Sequence, residues 1–251
     1  LYGKARAMRF AAIADVHGNR LALEAVLEDA AGLGVCDCVN LGDHVSGPLQ
    51  AAKTADIPME LGFPSVRGDQ DRRLVELSRD GTSKRSDFQQ LDQRQFDWLA
   101  SMPPTLVYRD DIFLCHGTPD DDAKFWLDQV TADGTVRPSR LEEIEAQTVG
   151  IEASLILCVH SHTPRVVRLL DGRLIVNPGS VGLPGFRGRA PVAYKVELGT
   201  PNACYAIIEL KQNDWSVTIR YVPYDSRAVV EMARQAGMAD WASALATGWV
   251  E

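Results

Sequence analysis

Several absences bound what this chain of 251 residues can be. No uninterrupted apolar run approaches the ~20 residues that cross a bilayer, and the longest candidate, 155–159, has only the length of a strand. No membrane partner is therefore expected. Basic runs are also missing, and 26 Lys and Arg against 34 Asp and Glu leave a net charge of −8. Duplex binding needs cations that displace counterions from phosphates, so nucleic acid is a disfavoured partner. Cysteine is sparse, and five is an odd number for a disulfide framework. Cys36 and Cys38 share one face of an expected strand, and Cys115 and Cys158 sit inside apolar runs. They read as buried, reduced thiols of a cytoplasmic protein. The N-terminus lacks a basic stretch followed by an apolar core of about 7–15 residues, so no secretory signal is expected. Residues 1–7 precede Met8 and read as a vector-derived or disordered extension. Repeats, linkers and low-complexity tracts are absent, which makes 8–251 one expected domain.

What is present is a βαβ opening. Residues 8–14 form a short continuous apolar run, as in a strand buried on both faces. Asn19 can cap a helix whose apolar positions recur on one side, and 36–41 forms the second strand. A short helix at 51–55, a third strand at 64–67 and helices at 72–78 and 89–101 follow. Strands at 106–108 and 112–115 form a hairpin, then come a helix at 141–149 and a buried strand at 155–159. The stretch to 222 is mostly hairpin strand, and two helices close the chain. Helix-connected strands first and hairpin strands later imply an α/β fold with two sheets.

All five histidines lie within three residues of the end of an expected strand. Asp15 and His17 follow the first, Asp43 and His44 the second, Asp69 the third, His116 the strand at 112–115, and His160 and His162 the strand at 155–159. Ligand sites in open α/β sheets lie off the carboxyl ends of strands, so these residues are expected to converge. Four imidazoles and three carboxylates suit divalent ions such as Mn, Fe, Zn or Ni. Seven ligands exceed one tetrahedral site, whereas two ions sharing a carboxylate would use them all.

The ordered set Asp15-Val16-His17-Gly18-Asn19, Gly42-Asp43, Gly68-Asp69-Gln70-Asp71, His116-Gly117 and His160-Ser161-His162 resembles the calcineurin-like metallophosphoesterases. The segment from Asn177 to Pro184 is similar to the bacterial phosphodiesterase branch of that superfamily. The resemblance runs from about Met8 to Tyr221. It implies an αββα sandwich of two mixed β-sheets flanked by helices. It also implies a dinuclear, metal-binding hydrolase acting on small phosphate esters, with manganese among the candidate metals. By resemblance one ion takes Asp15, His17, Asp43 and His162, and the other takes Asp43, Asp69, His116 and His160. A hydroxide held between the ions would attack phosphorus. Phosphodiesters are the expected substrate class.

Three positions depart from the family pattern, which has Asn at 69, His at 70 and Gly at 159, where this chain has Asp69, Gln70 and Val159. With Asp69, two divalent ions against three carboxylates keep one positive charge, where an amide would keep two. Gln70 stands where the family's His serves catalysis. It cannot supply a proton, although its amide can donate a hydrogen bond. The alternative reading is therefore a metal-binding, catalytically impaired scaffold of the same fold. Arg187, between glycines, is a candidate for meeting a phosphate, and His44 a candidate for a supporting role toward substrate. Asp120, Asp121 and Asp122 read as the cap and first turn of a helix. Among the tryptophans, Trp126 is the expected lining of a cleft.

Overall fold

The computed structural model describes residues 8–81 and 83–251; the extension expected at 1–7 lies outside them. The chain opens with β1 (Arg9–Ile13), α1 (Arg20–Gly32) and β2 (Cys38–Asn40), followed by α2 (Ala51–Leu61), α3 (Asp69–Asp80), α4 (Ser86–Gln90) and α5 (Gln93–Ser101). It continues with β3 (Thr105–Tyr108), β4 (Ile112–Cys115), β5 (Asp128–Val130), β6 (Val136–Pro138), α6 (Leu141–Ala146), β7 (Leu155–Leu157), β8 (Arg165–Arg168) and β9 (Leu174–Asn177). It ends with β10 (Gly185–Gly188), β11 (Tyr194–Glu197), β12 (Ala203–Lys211), β13 (Asp214–Val222), α7 (Arg227–Gln235) and α8 (Ala239–Thr247).

Two mixed sheets carry the architecture. The first has the order β13-β12-β1-β2 and the second β3-β4-β7-β9-β8. β1 runs parallel to β2, and β7 lies parallel to both β4 and β9, while the remaining pairings within the two sheets are antiparallel. Alternation along β1 explains the layering. Phe10, Ala12 and Ala14 point into a core shared with Ile112, Leu114, Leu155, Leu157, Leu174 and Val176 of the second sheet. Ala11 and Ile13 point the other way, onto Ala22, Leu23 and Val26 of α1. On the far side of the second sheet, Ile156 and Ile175 pack under Trp126 and Ile144 of the α6 region. This is the expected αββα sandwich, and each fully buried Leu or Ile contributes about 1.5–3 kcal/mol to it. Asn19 caps α1 as expected, with its side chain accepting from the Ala22 amide at 3.2 Å. Among the described residues no helix is long and apolar enough to cross a membrane.

Several local expectations need correction. Residues 64–67 make only a single parallel bridge, Asn40 to Ser65, instead of a strand. α3 begins at Asp69, three residues earlier than expected, so Asp69 and Gln70 occupy a first helical turn. α2 continues through Pro58 to Leu61. Asp120, Asp121 and Asp122 do not open a helix. The Asp121 carbonyl accepts the Thr118 and Lys124 amides in tight turns, and Asp122 is held by Arg72 through two bonds of 2.8 Å. Trp126 lies buried, its Nε1 donating to the Ile144 carbonyl at 3.0 Å, and does not line the cavity that opens onto the histidine cluster. Cys36 falls outside β2 and is exposed, while Cys38, Cys115, Cys158 and Cys204 are buried; all five are free thiols.

Candidate metal centre

The parallel strands deliver their carboxyl ends to one edge of the sandwich, where backbone geometry is unusual. Asp15 (φ 49°), His17 (50°), Asp43 (54°), His160 (66°) and His162 (55°) all adopt the left-handed conformation. Residues with a Cβ do so rarely, and such strain persists only where the surroundings over-determine it. Here the loops after β1 and β2 are zipped together. The Asp15 amide donates to the Gly42 carbonyl at 3.0 Å, His17 to Asp43 at 2.9 Å and Gly18 to His44 at 3.1 Å. Between the two imidazoles of 160–162, Ser161 Oγ donates to buried Asp128 at 2.7 Å and accepts from Asn177 Nδ2 at 3.1 Å. Ser180 Oγ donates to the Asp15 carbonyl at 2.9 Å. Asp71 anchors the other side: its carboxylate accepts the amides of Asp43, His44 and Gly68 at 2.8–3.0 Å. Gly68 itself has no room to grow, since a Cβ there would overlap the Asp43 carboxylate.

Three overlapping groups of ligand-type atoms result: Asp15, His17 and His162; Asp69, His116 and His160; and Asp15, Asp43 and His116. His17 Nε2 lies 3.2 Å from His162 Nε2, and His162 Nε2 lies 3.5 Å from Asp15. His160 Nδ1 lies 3.3 Å and His116 Nε2 3.6 Å from Asp69 Oδ1. Asp43 Oδ2 sits between the clusters, 3.8 Å from His17 Nε2 and 3.7 Å from His116 Nε2. Outer bonds orient the rings toward this space. His116 Nδ1 donates to the Leu41 carbonyl at 2.8 Å and His162 Nδ1 to the Leu183 carbonyl at 2.6 Å, which frees each Nε2.

Whether these residues fit a metal is tested by their unpaired atoms. Both Asp15 oxygens, Asp69 Oδ1 and His116 Nε2 are buried without a hydrogen-bond partner. Buried polar atoms are costly when unpaired, and four converging on one space are what a cation would satisfy. The donor set, imidazole and carboxylate, suits a divalent transition ion. The residues fit.

Charge regulation agrees. Burial pushes the Asp15 carboxyl up to about 7, and burial with the Asp69 charge raises Asp43 well above the carboxylate range. Burial pulls His17 down to about 3 and His160 to about 4, and holds His162 well below its ordinary value. His116 is the exception: burial opposes its cation, but the nearby Asp43, Asp69 and Asp15 carboxylates outweigh it and raise its pKa. Burial likewise opposes the Asp69 anion, yet the nearby His116, His160 and Arg73 hold its carboxyl below the usual range. A cation therefore competes with protons at Asp15, Asp43 and His116. The sign follows from Asp15: with its pKa raised to about 7, the competing proton is bound below that pH and released above it. From this one proton, Mn affinity should fall roughly 50-fold between pH 7 and pH 5. Calorimetric titration at the two pH values checks this, and a flat affinity would contradict it.

A cavity of about 640 Å³ opens onto the cluster, lined by His17, Asp43, Asp69, Gln70, His160 and His162 and, farther out, by Arg85, Phe186, Arg187 and Trp241. Gln70 faces this space, with its Nε2 donating to Asp69 Oδ2 at 2.7 Å. Arg187 reaches the wall but spends its charge on Asp240 at 3.0 Å. His44 does not line the cavity: its buried ring bonds Asp71 through Nδ1 at 2.9 Å and packs edge-on against Trp98. Asp71 and Asp128 support the site without having been expected there, and Trp241, expected only in core or lid packing, lines the cavity. Asp71 alone had a local signal, as the second carboxylate of Gly68-Asp69-Gln70-Asp71.

The profile of the calcineurin-like phosphoesterase superfamily domain matches residues 8–199. A metallophosphoesterase crystal structure from Sphaerobacter thermophilus is 25% identical, with a TM-score of 0.73, covering 96% of this chain and 100% of the other. A hypothetical protein from Pyrococcus horikoshii OT3 is 18% identical, with a TM-score of 0.70 and coverage of 97% and 99%, a likeness that bears on the fold alone. No curated protein matched the sequence.

Proposed function

This chain belongs to the calcineurin-like phosphoesterase superfamily, and from that premise we propose that it is a dinuclear, metal-dependent phosphodiesterase. The observation that carries the reading is the convergence of unpaired Asp15, Asp69 and His116 atoms on the ring nitrogens of His17, His160 and His162. Asp15, His17, Asp43 and His162 would hold one ion, and Asp43, Asp69, His116 and His160 the other. Bound ions would supply Lewis acidity toward the phosphoryl oxygens and would acidify water as a nucleophile. The protein's part is to fix geometry. Asp43 is held as the shared ligand by its amide on Asp71 at 2.8 Å and by the Gln70 amide on its Oδ1 at 2.9 Å. The Leu41 and Leu183 carbonyls keep His116 and His162 turned inward.

The diester preference rests on charge. Three carboxylates leave two divalent ions with one net positive charge before a bound hydroxide is counted and none after it, so a singly charged diester is less disfavoured than a doubly charged monoester. Two of the arginines nearest the cavity add little, because Arg85 is tied to Asp87 at 2.7 Å and Arg187 to Asp240, which leaves exposed Lys84 as the lining cation without an ion pair among the described residues. Residues 8–251 act together as one domain in this reading, since β12, beyond residue 199, lies between β13 and β1 in the first sheet. The second reading, an impaired scaffold, draws on one observation: Gln70 spends its amide on Asp69.

The test is elemental analysis of purified protein after Mn loading, combined with hydrolysis of bis(p-nitrophenyl) phosphate and p-nitrophenyl phosphate. Two ions per chain and Mn-dependent turnover favouring the diester are expected. Protein that takes up no metal would refute the centre, and metal without turnover would favour the scaffold.

A further inference from the structure

The wall of the cavity beside His17 and His162 is aromatic, and half of it comes from the chain beyond residue 199, outside the family-matched segment. Trp241, on the first turn of α8, stands edge-on to the His17 imidazole with ring centroids 5.8 Å apart. Phe186, on β10, packs on His162 at 4.6 Å. Leu183 and Met238 complete the surface, and Met238 is 36% exposed. The indole is held in place by design of the backbone beneath it. Gly47 (φ 112°) lies so close that any Cβ there would overlap the Trp241 ring. Trp241 also packs against the α7–α8 core, which fixes the helix that carries it.

Most of the charge on this side is compensated, with Lys84 the lining cation that has no ion pair among the described residues. Arg187 is paired with Asp240 at 3.0 Å, Arg85 with Asp87 at 2.7 Å and Lys195 with Glu197 at 3.7 Å. A second anionic group would therefore find few free cations, whereas an apolar ring would find two half-buried aromatic faces. Aromatic pairs add attraction beyond the area they bury, and a rigid wall loses little entropy on contact.

We propose that the wall of Trp241, Phe186, Leu183 and Met238 selects phosphate esters carrying a planar aromatic group over esters of small alkyl alcohols. This specificity rests on the phosphoesterase reading but is measured separately from it. Phenylphosphonate and methylphosphonate, which are not hydrolysed, serve as probes in calorimetry on the Mn-loaded protein. The phenyl compound should bind roughly 10-fold more tightly. Trp241→Ala should reduce that ratio to about 2-fold, and Trp241→Phe should retain most of it. Equal affinities in the unaltered protein, or a ratio that Trp241→Ala leaves intact, would overturn the proposal. Because the first comparison needs no variant, misfolding of Trp241→Ala does not remove the test. In parallel, phenyl p-nitrophenyl phosphate and methyl p-nitrophenyl phosphate share a leaving group, and the phenyl ester should have the higher kcat/KM. Turnover of neither diester would refute the phosphodiesterase reading, while the phosphonate ratio still decides the aromatic wall.

Discussion

Replacing Asp43 by Ala should strip both ions from the centre together and lower aryl diester hydrolysis by more than about 100-fold. The carboxylate stands between the two histidine clusters, with Oδ2 at 3.8 Å from His17 Nε2 and 3.7 Å from His116 Nε2. Remote supports of a metal site cost about 10–100-fold when lost, so a shared ligand sets a larger effect. Asp71→Asn supplies the graded comparison. It leaves every proposed ligand in place but weakens the carboxylate that holds the Asp43, His44 and Gly68 amides. Loss of metal must be separated from loss of fold. Asp43 is raised by burial and by the Asp69 charge, so in the metal-free protein its ionised form costs stability above the ordinary carboxylate pKa. Removing it relieves that cost, while the left-handed backbone (φ 54°), which Asp already bears, favours Asp over Ala and the Gln70 amide loses its acceptor. The metal-free variant should therefore unfold within about 2 kcal/mol of the parent. Elemental analysis counts the ions and denaturant melts report the fold. Loss of only one ion would refute Asp43 as the shared ligand.

What could be read from the sequence was whatever depends on strand direction. β1, β2, β4 and β7 all point their carboxyl ends to one edge, so residues just past each run had to meet there, and Asp15, His17, Asp43, His116, His160 and His162 do. Asp69 reaches the same place by a different route, from the first turn of α3, because the chain at 64–67 bridges β2 only at Ser65. The left-handed backbones carry no sequence signal of their own, since they are imposed by hydrogen bonds between loops distant in sequence. The same limit explains the tryptophans. Trp126 follows His116, a proposed ligand, closely in sequence, yet the turns at 118–124 carry it into the core under α6. Trp241 lies far along the chain on a helix whose position over the cavity is set by packing against β10 and α7. Periodicity identifies a helix but not which cavity its first turn overlooks. Asp128 belongs to β5, a strand of three residues, and only tertiary pairing with Ser161 and Arg165 gives it a purpose.

Gln70→His should raise turnover of an alkyl phosphomonoester by about 10²-fold or more while changing an aryl diester by less than about 3-fold. The argument concerns leaving groups. An aryl oxide departs with little need for protonation, whereas an alkyl alkoxide is strongly basic and needs a proton or an equivalent hydrogen bond. Gln70 faces the cavity, but its amide cannot release a proton, and its Nε2 is committed to Asp69 Oδ2 at 2.7 Å. The backbone contact at this residue, its amide on Asp43 Oδ1 at 2.9 Å, survives any side-chain change, so the shared ligand should stay in place. An imidazole at 70 would restore an acid that titrates near neutrality. The pH profile of the variant should therefore gain an ionisation near 6.5 that the unaltered protein lacks, seen with the alkyl substrate and faint with the aryl one. A merely structural effect of the substitution would move both substrates together and add no new limb to the profile. Equal gains for both leaving groups, or none for either, would place residue 70 away from the departing oxygen and remove it from the catalytic scheme.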